Sequence, residues 1–201
     1  NNHSGDYGPQ SVTDTAMWCD KARLVYVGIG SNAYIAEEPR LLRVGPVWVA
    51  VSGFDTTMPC FQAGEQRPGT NYACQDDLET FRQKMVQLGR WAEGRCNLLL
   101  LTVHWGDNWA RQTPVTHRQM ARIAFENGVD LILGHSAHRL QGVEVLDGKA
   151  VVYDMGNLLF DCELQREGRR GGLFRLYLSP DGVHKIEIIP IQVMEGYTVL
   201  A

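Results

Sequence analysis

Apolar residues return every three or four positions in some stretches of the chain and run on unbroken in others. Leu78, Phe81, Met85, Leu88 and Trp91 keep helical spacing and predict a helix over residues 76–91. Residues 116–126 read the same way, with Gly128 suited to end the helix. A shorter helix is predicted over residues 11–22, with Ala16, Met17 and Cys19 as apolar positions and Ser11 or Thr13 as cap. Residues 97–103 and 129–133 are continuous apolar runs, as expected of strands covered on both faces. A short strand is predicted over residues 24–27, ending in Gly28-Ile29-Gly30. Residues 41–44 and 47–54 form a β pair joined at Gly45-Pro46, and residues 56–73 read as loop, with Pro59, Gly64, Pro68 and Gly69. Two hairpins follow, residues 143–146 with 150–153 around Asp147-Gly148, and 173–178 with 184–191 around Pro180-Asp181-Gly182. Helices alternating with buried strands, then hairpins, predict an α/β layered domain with mixed sheets and outer helices.

The 201 residues, 44% of them hydrophobic, suffice for one real core, so one domain over residues 1–201 is expected. A net charge of −4 offers no basic face for nucleic acid. Arg166, Arg169 and Arg170 are interrupted by Glu167 and Gly168 and read as a solvated loop. No apolar stretch is long enough to span a membrane. The five cysteines form no C-x-x-C pair, which argues against a zinc ribbon or a thioredoxin-like site. Cys60 and Cys74 flank a Gly/Pro/Gln-rich loop, and read either as a bridge in an oxidising compartment or as two unrelated thiols. Cys96, opening an apolar run, reads as buried packing.

Three histidines share one context. His104 follows the strand at 97–103, His135 follows the strand at 129–133 through Gly134, and His138 lies three residues later. In layered α/β sheets ligands gather beyond the carboxyl ends of strands. Two neighbouring strands each ending in His would bring imidazoles within metal-bridging reach, and Gly106 and Gly134 would let backbone approach closely. Taken singly, each His is more often structural than a ligand. His117, inside a predicted helix, and His184, on a hairpin, read as surface or structural.

Four motifs in order resemble the CapA family, which is linked to poly-γ-glutamate capsule synthesis. They are Asn1-Asn2-His3-Ser4-Gly5-Asp6-Tyr7-Gly8, the stretch Gly28-Ile29-Gly30-Ser31-Asn32, Val103-His104-Trp105-Gly106, and Gly134-His135-Ser136-Ala137-His138 continuing to Gly156-Asn157-Leu158-Leu159-Phe160-Asp161. The resemblance covers almost the whole chain. It implies a four-layer αββα sandwich of the calcineurin-like metallophosphatase type with a two-metal site at the sheet edge. By resemblance, Asn2, His104 and His135 would hold one divalent ion of the Mn, Fe or Zn class, and His138 the other. His3 would act beside the metals as catalytic acid or oxyanion stabiliser. Asp6, Asp107, Asn157 and Asp161 would orient the ligands from behind. Such ions polarise a phosphoryl group and lower the pKa of bound water.

Two departures stand out. The usual G-H-H-P-H is Gly134-His135-Ser136-Ala137-His138 here, losing the middle His and the Pro. The chain also starts at Asn1, without the strands that carry the family's acidic ligands, and no strand-end Asp or Glu further along replaces them. The domain is therefore expected to be incomplete at its N-terminus, with a weakened metal site. Three functions follow from the resemblance: a surface-exposed or extracytoplasmic protein of poly-γ-glutamate synthesis or export, anchored by a segment outside this chain and working with membrane-bound polyglutamate synthase subunits; a metal-dependent phosphoesterase for another substrate; or a non-catalytic scaffold.

Overall fold

The computed structural model describes residues 1–160 and 168–201. Helix α1 (Pro9–Lys21) opens the chain. It starts ahead of the predicted residues because proline suits the first helical turn, where its missing N–H costs nothing. Neither Ser11 nor Thr13 caps it. Their hydroxyls donate instead to backbone carbonyls of Gly8 and Gln10, at 2.7 and 2.8 Å.

The strand expected over residues 24–27 does not form, and Leu24 and Val25 are exposed. Apolar composition cannot make a strand without a neighbour for its backbone groups. Pairing begins instead at β1 (Ile29–Gly30), which meets β4 (Gly69–Thr70) inside the segment read as loop. Between them lie α2 (Ala33–Glu37), β2 (Arg40–Val44) and β3 (Val47–Asp55). The sequence reading missed α2, although Asn32 caps it by accepting from the Ile35 N–H at 3.0 Å.

The remaining elements match their patterns. They are α3 (Leu78–Ala92), capped by Asp77, then β5 (Leu98–His104), α4 (Val115–Glu126), β6 (Leu131–His135), and the hairpin of β7 (Val143–Leu146) and β8 (Lys149–Val152). The second hairpin, β9 (Arg170–Ser179) and β10 (Gly182–Met194), is longer than expected and gains a third strand, β11 (Tyr197–Leu200).

The central sheet runs β2-β3-β5-β6-β8-β7. Its four inner strands are mutually parallel, and the edges β2 and β7 are antiparallel. Helices α3 and α4 serve as the crossovers that parallel neighbours require. They cover one face: Phe81 and Met85 of α3 and Met120 and Ala124 of α4 pack on Leu101, Val103, Ile132 and Val151. Phe54 meets Phe81 edge to face at 6.0 Å. Truncating such a fully buried residue, Leu101→Ala for example, costs about 2–5 kcal/mol. On the opposite face Val49 and Leu98 pack with Leu100 and with Leu178 of β9, so the sheet β11-β10-β9 forms the next layer. A central mixed sheet flanked by helices is the α/β arrangement of a metallophosphatase-type fold, as the resemblance implies. The parallel crossovers bring the carboxyl ends of β3, β5 and β6 to one edge, and the candidate chemistry collects there.

Candidate functional site

Parallel register aligns Asp55, His104 and His135 as partners across three adjacent strand ends. Side chains alternate along a strand. Val103 belongs to the helix-side core. Its neighbour His104 therefore faces the other side, and His135 with it. The two imidazoles meet there, Nδ1 to Nδ1, at 2.9 Å. Thr102 lies beneath, its hydroxyl 3.2 Å from His135 Nε2. Burial, reinforced by the positive charges of His138 and His3, pushes the His104 pKa down to about 3. His135 is also pushed down to about 3, by burial first and by its neighbour His104 next, with Asp55 opposing.

Asp55 corrects the sequence reading, which found no strand-end carboxylate. The strand was read as ending at Phe54, whereas it continues one residue further, to Asp55. Asp55 is 1% exposed. One oxygen accepts from Thr57, backbone at 3.0 Å and hydroxyl at 2.7 Å. Among the described residues its other oxygen is buried without a partner, as is His104 Nε2. A signal was available: an Asp at the end of the strand before the one that ends in His104.

The loop after β6 carries His138. Gly134 is needed there, since a Cβ would lie 2.2 Å from the Tyr153 carbonyl oxygen. Ser136 and His138 both have positive φ, 131° and 55°, a strained backbone for side-chain-bearing residues and one that concentrates at functional sites. Asp154 holds the loop, accepting from the Ala137 N–H at 2.6 Å and the Gly156 N–H at 2.8 Å. Burial pushes the Asp154 carboxyl up to about 6, against those two bonds. The sequence reading missed this residue. Asn157 spends its amide N–H groups on the carbonyls of His138 and Gly168, at 3.3 and 2.9 Å. Its oxygen therefore accepts from His138 Nδ1–H at 2.8 Å, which leaves the lone pair on His138 Nε2. Trp109 stacks on the same ring at 5.2 Å, and Phe160 meets its edge at 5.5 Å.

The N-terminal segment lies close enough for His3 to bear on His104. Asn2 is half-buried. His3 is exposed and bonds Asp6 Oδ2 through Nδ1 at 2.7 Å, so Asp6 orients His3 rather than the strand-end pair. Asp107 is also exposed, and its charge bears on His117 instead. His117 is not at the surface: it is 2% exposed and stacks on Trp105 at 4.5 Å. His184 stays exposed, 2.6 Å from the Ser179 hydroxyl. Asp161, Arg166 and Glu167 lie outside the described residues. Cys60 and Cys74 are both free thiols.

The donors suit a divalent cation in part. Two nitrogens 2.9 Å apart match neighbouring corners around one ion with bonds of about 2.1 Å. The orphaned Asp55 oxygen and His104 Nε2 add unspent capacity on the same strand ends. Imidazole with carboxylate and amide oxygen is chemistry for Mn, Fe or Zn. Among the described residues, however, no three His, Cys, Asp or Glu side chains close a complete cage.

Residues 1–162 match the model of the family described as bacterial capsule synthesis protein PGA_cap. The chain is 31% identical over 198 residues to the PGA biosynthesis protein CapA of Bacillus subtilis (strain 168), covering 98% of this chain and 50% of that protein. It is 27% identical over 197 residues to the capsule biosynthesis protein CapA of Bacillus anthracis, covering 98% and 47%. A probable polyglutamine synthesis accessory protein of Mycobacterium tuberculosis is 27% identical over 202 residues, covering 96% and 53%. The chain thus spans about half the length of these relatives. Among solved structures, a hypothetical protein from Thermus thermophilus shares the fold at TM-score 0.51 and 13% identity, covering 77% of this chain and 61% of that one.

Proposed function

The chain belongs to the PGA_cap family of bacterial capsule synthesis proteins, and we propose on that premise that it serves poly-γ-glutamate synthesis or export through a divalent-metal site at its strand ends. The observation that carries this reading is the aligned row Asp55, His104 and His135, with two imidazole nitrogens 2.9 Å apart. In this reading His104, His135 and Asp55, with the Asn2 amide, hold one ion, and His138 Nε2 serves a second. The ions would polarise a phosphoryl or carbonyl oxygen of the substrate. Asn157 keeps the lone pair of His138 on Nε2, and Asp154 holds the loop in its strained conformation. His3, exposed and bonded to Asp6, would in this reading hand a proton to a leaving group. The relatives' names support the pathway, and membrane-bound polyglutamate synthase subunits are the partners we propose, at an extracytoplasmic face. No helix among the described residues is long and apolar enough to cross a membrane.

The test is elemental analysis after incubation with Mn or Zn. We expect bound metal in the wild-type chain and its loss in His104→Ala and in Asp55→Asn, followed by phosphodiester hydrolysis that depends on His3. A wild-type chain that retains no metal would move the assignment to a non-catalytic scaffold of the same pathway. The observation that favours this second reading is that, among the described residues, no three His, Cys, Asp or Glu side chains are gathered closely enough to close around one ion.

A further inference from the structure

On the helix side of the central sheet, α2, β3 and α3 enclose a cavity of about 280 Å³, on the face opposite the histidines. That volume lies just below the usual range of ligand pockets, about 300–1,000 Å³, and suits a single small metabolite rather than a polymer. One wall is apolar, built from Phe54, Leu88 and Trp91. Two polar side chains on the inner side are almost wholly buried, Ser52 at 2% exposure and Asn71 at 3%. Asn71 is satisfied by the Gly53 carbonyl and by Lys84. The Ser52 hydroxyl has no protein hydrogen-bond partner among the described residues, although it lines the cavity. Its oxygen keeps access to the cavity and is open to a ligand there.

The charges in the cavity carry both signs. The Lys84 ammonium is tethered to the Glu37 carboxylate and reaches Asn71 Oδ1 at 3.3 Å. Glu38 also lines the cavity and is held by Arg40. A simple anion would take Lys84 but face two carboxylates, and a simple cation would meet the ammonium. A ligand bearing both charges close together satisfies both sides by exchanging the Lys84–Glu37 pair for two pairs of its own.

We propose that this cavity binds a free α-amino acid with an apolar side chain. The ligand carboxylate takes Lys84 and the unpartnered Ser52 hydroxyl, its ammonium takes Glu37, and its side chain lies on Phe54, Leu88 and Trp91. This site stands apart from the strand-end histidines, so its test is independent of the metal reading.

Isothermal titration calorimetry on the full chain decides it. L-leucine, L-methionine and L-phenylalanine are titrated beside isocaproate and isoamylamine, which each keep one charge of leucine. We expect saturable one-to-one binding of at least one amino acid, with both single-charge analogues weaker by about tenfold or more, since each lost charge-assisted bond is worth about 1.5–3 kcal/mol. Lys84→Gln and Glu37→Gln should each weaken amino-acid binding by a similar factor. Ser52→Ala removes the hydroxyl without adding bulk and should weaken binding several-fold with an unchanged thermal midpoint. The proposal is overturned if no amino acid binds, if isocaproate or isoamylamine binds as well as leucine, or if neither charge variant changes the affinity.

Discussion

Two buried histidine regions, one at the strand ends and one under α4, look alike by burial and differ in what surrounds them. His104 and His117 both sit in the interior, and burial depresses both, to about 3 and about 4. Each has a ring nitrogen buried without a partner among the described residues. His104, however, shares its strand-end row with a second imidazole and a carboxylate that also has an unspent oxygen. His117 lies flat on Trp105, 8° from parallel, with both ring nitrogens orphaned. Desolvation alone therefore does not mark a site. Converging donors distinguish the two regions, and His117 acts as a packing wedge that holds Trp105, the residue after His104.

The largest expected effect separates packing from ligation. His117→Ala should cost about 3 kcal/mol in denaturant unfolding, by emptying a stacked, fully enclosed position, while any metal uptake at the proposed strand-end site stays unchanged. His117→Phe keeps the stack and removes two unsatisfied nitrogens, so it should be neutral or mildly stabilising. If His117→Phe instead empties the metal site, His117 is no mere wedge.

Next is Asp55→Asn, which keeps shape and removes charge. Metal affinity should fall by about tenfold or more, measured by competition with a chelating dye, with a smaller change in stability than His117→Ala causes. Unchanged affinity would take Asp55 out of the ligand set.

Acid sensitivity distinguishes the regions more finely. In the metal-free protein His104, His135 and His117 are neutral when folded and take up protons in the unfolded chain below about pH 6.5. Their folded values are depressed, so the unfolded state binds more protons and stability is lost as pH falls from about 6.5 toward about 3–4. Asp154 works the other way. Its folded value is raised to about 6, so its contribution is present at low pH and lost as pH rises through that value. Three groups outweigh one, and the unfolding midpoint should be lower at about pH 5 than at about pH 7. His117→Phe should make that dependence shallower, by about one of the three protons. A slope unchanged by that substitution would mean His117 takes up its proton in the fold as readily as in the unfolded chain.

The smallest effect belongs to the exposed pair. His3→Ala should alter stability by no more than about 0.5 kcal/mol and leave metal uptake at the proposed site unchanged, while lowering any turnover. Loss of metal in that variant would make His3 a ligand instead.

Much of this was legible in the chain. The spacing of Phe81, Met85 and Leu88, the apolar run over residues 97–103 and the Asp147-Gly148 turn each act over a few residues, and each produced the expected element. The glycine at 134 and the strand-end positions of His104 and His135 were likewise local facts, readable because a strand's end and a close backbone approach leave marks in neighbouring residues. The short strand over residues 24–27 was misread because apolar composition does not supply a partner. For His117 the sequence left surface and structural roles open, because helical spacing gives a face but not what covers it, and burial against Trp105 decides for the structural one.

Asp55 shows the limit most plainly. Its type and place were visible, but its meaning came from parallel register with strands far along the chain. The charged cavity at Lys84 and Glu37 likewise exists only where α3 closes over α2 and β3. The sequence alone determined the kinds of elements and which residue types stood at their ends, because those follow from nearest-neighbour spacing. Tertiary structure decided which ends met and which nitrogens were left unpaired, because those depend on contacts between segments that spacing along the chain does not relate.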